Sequence, residues 1–71
     1  MYLGWFDDSA KRAIVSKVQD AIDAYVERFN YRPAVVLLSA ADAQAAGVEE
    51  VSGVPLRVEG YIRPNNFWPG E

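Results

Sequence analysis

The fold is decided by the stretch Ala34-Val35-Val36-Leu37-Leu38-Ser39-Ala40-Ala41-Asp42. Its first five residues are apolar without alternation, which is typical of a strand that is covered on both faces and is therefore central in its sheet. Ser39 and Asp42 then have the spacing of a capping box. Residues 40–46 are rich in alanine and predict a short helix that ends at Gly47. Because so short a helix is unstable alone, it is expected to dock on the sheet.

A long helix is predicted on the N-terminal side of this strand, over residues 9–29. Apolar side chains recur on one broad face of that segment, whereas the opposite face is polar. Asp7, Asp8 and Ser9 are suitable caps for its start. Asn30 suits the left-handed position that follows a helix, and Pro33 prevents continuation.

A second strand is predicted over residues 54–63, where apolar and polar side chains alternate. Pro55 near its start and Gly60 within it favour an edge position with a bulge. Residues 48–51 predict a brief extra strand before a turn at residues 52–53. Residues 64–66 have the composition of a turn, which leaves Phe67 and Trp68 on a short tail.

These elements predict a small α+β fold, a two-layer α/β domain that occupies residues 1–71. The order is helix, strand, helix, strand, with the long N-terminal helix packed on a sheet of two or three strands. Enough residues separate the two main strands for a crossover, so they are expected to be parallel. A chain of this length buries only about 60% of the surface that its unfolded form exposes, so dense packing or association must add stability.

The composition excludes several classes of function. The chain has no cysteine and no histidine, which removes the usual nucleophile pairs and the commonest zinc ligands. We therefore expect a protein that is not an enzyme and that holds no cofactor or metal. The net charge of −3 has the wrong sign for nonspecific binding to nucleic acid. No apolar run approaches the roughly 20 residues that a membrane span needs, and without a leader the predicted location is the cytoplasm.

The predicted partner-binding residues combine arginine with aromatic side chains, a composition typical of protein interfaces. They are Arg57, Tyr61, Arg63, Phe67 and Trp68. The expected partner is a second copy of the chain in a dimer, another protein, or both, with contact through the edge strand and the terminal aromatic residues. Five of the nine aromatic residues lie near the two ends of the chain, at positions 2, 5, 6, 67 and 68. They either close the core or form a docking tail.

Two other functions stay open at this level. A small-ligand or anion-binding domain would use Arg32, Arg57 or Arg63 for the polar contact. A more distant alternative is a carboxylate-based enzyme that uses Asp42 or Glu59. The acidic stripe on the long helix, Asp20, Asp23 and Glu27, is interpreted as a solvated face because no loop completes a coordination shell there.

Three segments resemble a pattern found in phage and mobile-element proteins. The pattern is an apolar strand, an Asp-Ala helix, a Gly-x-Pro-Leu strand and an aromatic-glycine end. The matching segments are residues 37–43, Gly53-Val54-Pro55-Leu56 and Phe67-Trp68-Pro69-Gly70. The resemblance implies a phage or mobile-element origin and assigns no functional residue.

Overall fold

The computed structural model describes residues 1–71 and contains five strands and two helices. In chain order these elements are β1 (Trp5–Phe6), α1 (Ile14–Phe29), β2 (Val35–Leu38), α2 (Ala40–Ala46), β3 (Glu50–Val51), β4 (Val54–Val58) and β5 (Asn66–Gly70). The strands form one mixed sheet in the order β1-β5-β2-β4-β3. The α+β class is confirmed, but the sheet has five strands where two or three were predicted.

The stretch around β2 folds as its sequence predicts. β2 is the middle strand of the sheet, and it is parallel to β4, with Val36 opposite Leu56. The Ser39 hydroxyl accepts a hydrogen bond from the Asp42 N–H at 3.1 Å, which caps α2. Gly47 ends α2 in the left-handed conformation, at φ 67°. Local sequence signals and the tertiary structure therefore agree throughout this unit.

The long helix ends where predicted but begins five residues later. Asn30 is left-handed, at φ 63°, and its N–H donates to the Val26 carbonyl. At the other end Ala13 is the extended residue before the helix, and no side chain caps it. The reason is that the Asp7 carboxylate accepts the Ser9 N–H at 2.9 Å. This local turn competes with helix formation, so the predicted cap forms a loop instead.

The main core lies between the two helices and one face of the sheet. Fully buried α1 side chains contact buried side chains from β2, β4 and β5. Phe67, at 0% exposure, is the largest side chain of this cluster. The other buried members are Val18, Ala21, Ile22, Val36, Leu38, Val51 and Val54. Because α2 also places Ala43 against this cluster, both helices cover the same side of the sheet.

The prediction of a strand over residues 54–63 is wrong in its extent. β4 stops at Val58, so Tyr61 and Arg63 lie in the loop that follows it. β4 is also not an edge strand over its first half, because β3 pairs with it at Val54 and Pro55. A two-residue turn between β3 and β4 brings these two strands side by side. Ser52 and Gly53 both have positive φ, at 52° and 79°, which a two-residue hairpin turn requires.

The predicted C-terminal tail is in fact β5, an interior strand between β1 and β2. It runs antiparallel to both neighbours, with Leu37 opposite Trp68 and Trp5 opposite Phe67. Pro69 is tolerated because its carbonyl accepts the Leu3 N–H at 2.9 Å, so its missing donor points away from β2. The two ends of the chain therefore pair with each other and complete the core.

Tyr25 is expected to make the stability depend on pH in the alkaline range. Its ring is fully buried, and its hydroxyl donates to the Tyr31 hydroxyl at 3.2 Å. This hydrogen bond, together with burial, raises the pKa of Tyr25 from 10.0 to about 12. Because the folded state holds this proton more tightly, the stabilisation is complete below pH 10 and is lost as the pH rises towards 12.

Urea unfolding of the wild type and of Tyr25→Phe between these pH values measures that effect. The wild type should lose more stability than the variant, because only the wild type carries the titrating phenol. Parallel stability curves for the two proteins would contradict the assignment.

Candidate interaction surface

The face of the sheet opposite the helices carries an aromatic surface. Side chains alternate between the two faces of a strand, so the register places Leu37, Arg57 and Trp68 side by side on the face away from α1. The same alternation places Val35 and Pro55 there, and Phe6 faces the same way opposite Asn66. We call this surface the open face; it comprises Tyr2, Phe6, Val35, Leu37, Pro55, Arg57, Tyr61 and Trp68.

The centre of the open face is packed. Leu37 is only 2% exposed although it does not belong to the core between helices and sheet. It lies between Arg57 and Trp68 in neighbouring strands. The Tyr61 ring reaches back from the loop after β4 to the Trp68 ring, with 6.2 Å between ring centroids. The open face therefore has its own small apolar centre, which holds these side chains in place.

The aromatic rings around that centre are exposed. Phe6 is 62% exposed and Tyr61 64% exposed, while Tyr2 is 39% exposed. A group of exposed rings on one face is unusual for a monomeric protein and commonly marks a binding surface. This is the feature of the molecule that most clearly points to an interaction.

One end of the open face contains a groove with a volume of about 550 Å³. It is the only pocket of the structure. Its lining comes from the N-terminal segment, the start of β2, β4 and the end of the chain: Tyr2, Ala34, Val35, Pro55, Leu56, Arg57 and Glu71. The lining is mostly apolar and includes two charged residues, Arg57 and Glu71. Such a groove fits an aromatic side chain better than a highly charged ligand.

Both signs of charge lie on and around the open face. Arg57 pairs with Glu59 at 2.9 Å, and Glu71 lies in the groove. Arg63 is exposed in the same loop as Tyr61. The open face is therefore neither strongly acidic nor strongly basic.

The structure brings together three of the five predicted partner-binding residues. Arg57, Tyr61 and Trp68 lie on the open face. Arg63 is exposed nearby in the loop, but no side-chain hydrogen bond or ion pair joins it to the other three. Phe67 is fully buried and faces the helices, so it does not belong to the open face. Phe67 and Trp68 lie on opposite faces of the sheet because successive side chains of a strand point to opposite faces.

The predicted partner-binding residues did not include five members of the open face: Tyr2, Phe6, Val35, Leu37 and Pro55. Phe6 and Tyr2 carried a signal, since both belong to the terminal aromatic group, but neither was assigned to a strand. Val35 and Leu37 lie in an apolar run that shows no alternation, so the sequence does not separate its two faces. Only the position of both helices on one side defines the other side as open.

The residues of the two alternative functions are engaged elsewhere or dispersed. Of the three candidate arginines, only Arg57 lines the groove, whereas Arg32 donates to the Ser52 carbonyl. The Asp42 carboxylate accepts the Asn65 N–H at 2.7 Å, which fastens the loop before β5. The acidic stripe on α1 is paired in part, since Asp20 binds Arg12. No group of three or more potential ligand side chains is placed to hold a metal ion.

Comparison of the chain with models of known protein families, with curated proteins and with solved structures finds no match. Neither helix has the length and apolar composition that crossing a bilayer requires.

Proposed function

We propose that this protein is a non-enzymatic interaction module whose open face binds the open face of a second copy. The observation that carries the proposal is the exposure of Phe6 and Tyr61 beside a packed apolar centre. Two sheets that pack face to face bury such rings and remove them from water. Each square ångström of apolar surface so removed contributes about 25 cal/mol before the costs of association.

The mixed charge of the open face supports a second copy as the partner. In a symmetric dimer each surface must complement itself. Arg57 and Glu59 already form an ion pair on this face, which leaves Glu71 at the groove and Arg63 in the Tyr61 loop as opposite charges at its two ends. An antiparallel stacking of two copies brings Glu71 of each copy towards Arg63 of the other, whereas a nucleic acid would meet carboxylates that repel its phosphates.

The size of the open face sets the expected affinity. Three strands of four or five residues and two strands of two residues, spaced about 4.8 Å apart, together with the flanking rings give a contact on the order of 500 Å² per protomer at most. Interfaces that bury less than about 1,200 Å² in total are typical of weak or transient complexes. We therefore expect a reversible dimer with a dissociation constant in the micromolar range.

A charged side chain in place of Phe6 should abolish dimerisation. Phe6→Glu places a carboxylate among the rings, where burial would cost free energy that no partner offsets. The matched control is Val15→Glu, the same new residue at an exposed position on α1, in the layer away from the open face. Sedimentation equilibrium from low to high micromolar concentration should show dimers for the wild type and Val15→Glu and only monomers for Phe6→Glu.

Three results would overturn this proposal. The first is a wild-type protein that is monomeric at high micromolar concentration. The second is a dimer that Phe6→Glu does not weaken, which would place the contact elsewhere. The third is a monomer that binds a single-stranded oligonucleotide through the same rings. Circular dichroism and thermal unfolding of each variant confirm that the fold is kept.

The remaining hypotheses stay predictions. Anion binding by Arg57 has less support, because its guanidinium already pairs with Glu59 and a second carboxylate, that of Glu71, lies in the groove. The carboxylate-enzyme alternative has less support for the same reason, since both Asp42 and Glu59 have partners within the fold. The cytoplasmic location and the phage or mobile-element origin also stay predictions.

A further inference from the structure

We infer that the groove of one copy receives the Tyr61 ring of the other, so that two identical knob-and-groove contacts form the dimer. This inference rests on the proposed dimer and specifies its register. Tyr61 is the most exposed ring of the open face, at 64%. The groove is its only concave site, and Tyr2, Val35 and Pro55 give it apolar walls.

The positions of ring and groove along the strands suit a symmetric contact. The groove lies at the Val35 and Gly70 end of the β2–β5 pair, whereas the Tyr61 ring packs on Trp68, opposite Leu37. A two-fold axis in the interface, running across the strands between these levels, exchanges the two ends. Each copy then presents its ring to the groove of the other, as a closed symmetric interface requires.

The volumes and polarities also match. A groove of about 550 Å³ can enclose a phenol ring together with its neighbouring backbone. The apolar walls contact the ring, and Arg57, which also lines the groove, lies beside it.

A steric complementation experiment tests this register. Tyr61→Ala removes the ring, and Val35→Trp fills the groove with a side chain that suits a strand. Each variant alone should dimerise at least about tenfold more weakly than the wild type, because aromatic anchors dominate interfaces of this kind. Mixed together, they should form a heterodimer that is tighter than either homodimer.

The recovery in the mixture has a simple cause. The Val35→Trp copy still offers Tyr61 to the open groove of the Tyr61→Ala copy. The filled groove then faces the shortened alanine, so the steric conflict disappears. Native mass spectrometry of the mixture, with one variant isotopically labelled, counts the three possible dimers directly. Val35→Phe serves as a milder filler if the tryptophan variant unfolds.

The outcomes distinguish a failure of the knob-and-groove register from a failure of the proposed open-face dimer. A wild type that does not dimerise removes both. A wild-type dimer that Phe6→Glu breaks, but whose affinity neither Tyr61→Ala nor Val35→Trp changes, keeps the open-face dimer and overturns the knob-and-groove register. Two weakened variants that form no heterodimer in the mixture also overturn the register.

Discussion

Replacement of Phe67 by alanine is expected to lower the free energy of unfolding by about 3–5 kcal/mol, the usual cost of deleting a buried phenyl ring. Phe67 is fully buried, and it joins β5 to the α1 side chains of the core. A domain of this size rarely has more than about 3–5 kcal/mol of stability from its core. Most molecules of Phe67→Ala should therefore be unfolded at room temperature, as measured by circular dichroism and urea titration.

The neighbouring residue provides the control. Trp68→Ala removes a larger side chain from the same strand, but that side chain is half-buried on the open face. It should destabilise the monomer less than Phe67→Ala and should weaken the dimer more. A Phe67→Leu variant keeps most of the core volume and should recover most of the stability. If Trp68→Ala were the more destabilising change, the assignment of the two faces would be wrong.

Replacement of Gly70 by alanine should be the second most damaging change, at about 1–3 kcal/mol for overpacking of this kind. A Cβ atom at Gly70 would overlap the Tyr2 ring and the Met1 carbonyl oxygen, and would come within 2.6 Å of Tyr2 Cγ. Because a backbone atom takes part, rotation of the Tyr2 side chain alone cannot relieve the overlap. The N-terminal segment should then separate from β5, and hydrogen exchange of the Leu3 N–H should accelerate.

Gly60→Ala is the matched control for this prediction. No atom lies within 4 Å of a Cβ built at Gly60, and its φ is not in the left-handed range. The substitution should therefore be neutral or slightly stabilising, since alanine restricts the unfolded chain. Equal losses of stability in the two variants would show that the overlap at Gly70 has no energetic weight.

The role of β5 also changes how a truncation is interpreted. From the sequence, residues 64–71 resemble a detachable docking tail, whose removal would report on partner binding alone. In the structure this segment supplies an interior strand and the largest side chain of the cluster between helices and sheet, that of Phe67. Its deletion would expose the edge of β2 and unfold the domain, so point substitutions on the open face are the informative variants.

Much of the local structure follows from the sequence. Local physical chemistry determines three features that depend only on neighbours within four residues. They are the apolar run of β2, the capping box of Ser39 and the left-handed conformation of Asn30. The parallel pairing of β2 and β4 also follows, because the helix between them requires a crossover. The small α+β class and the surface positions of Arg57 and Tyr61 were accessible in the same way.

Only the tertiary structure decided which side of the sheet is open and which terminal ring is buried. β1 has two residues, too few to show any periodicity, and β5 contains a proline and a glycine that suggest a loop. Both become strands because residues at opposite ends of the chain pair with each other, from Tyr2 opposite Gly70 to Phe6 opposite Asn66. Such pairing depends on contacts across nearly the whole length of the chain. For this reason the sequence alone predicted a tail where the molecule has a strand. That strand places Phe67 in the core and Trp68 on the open face.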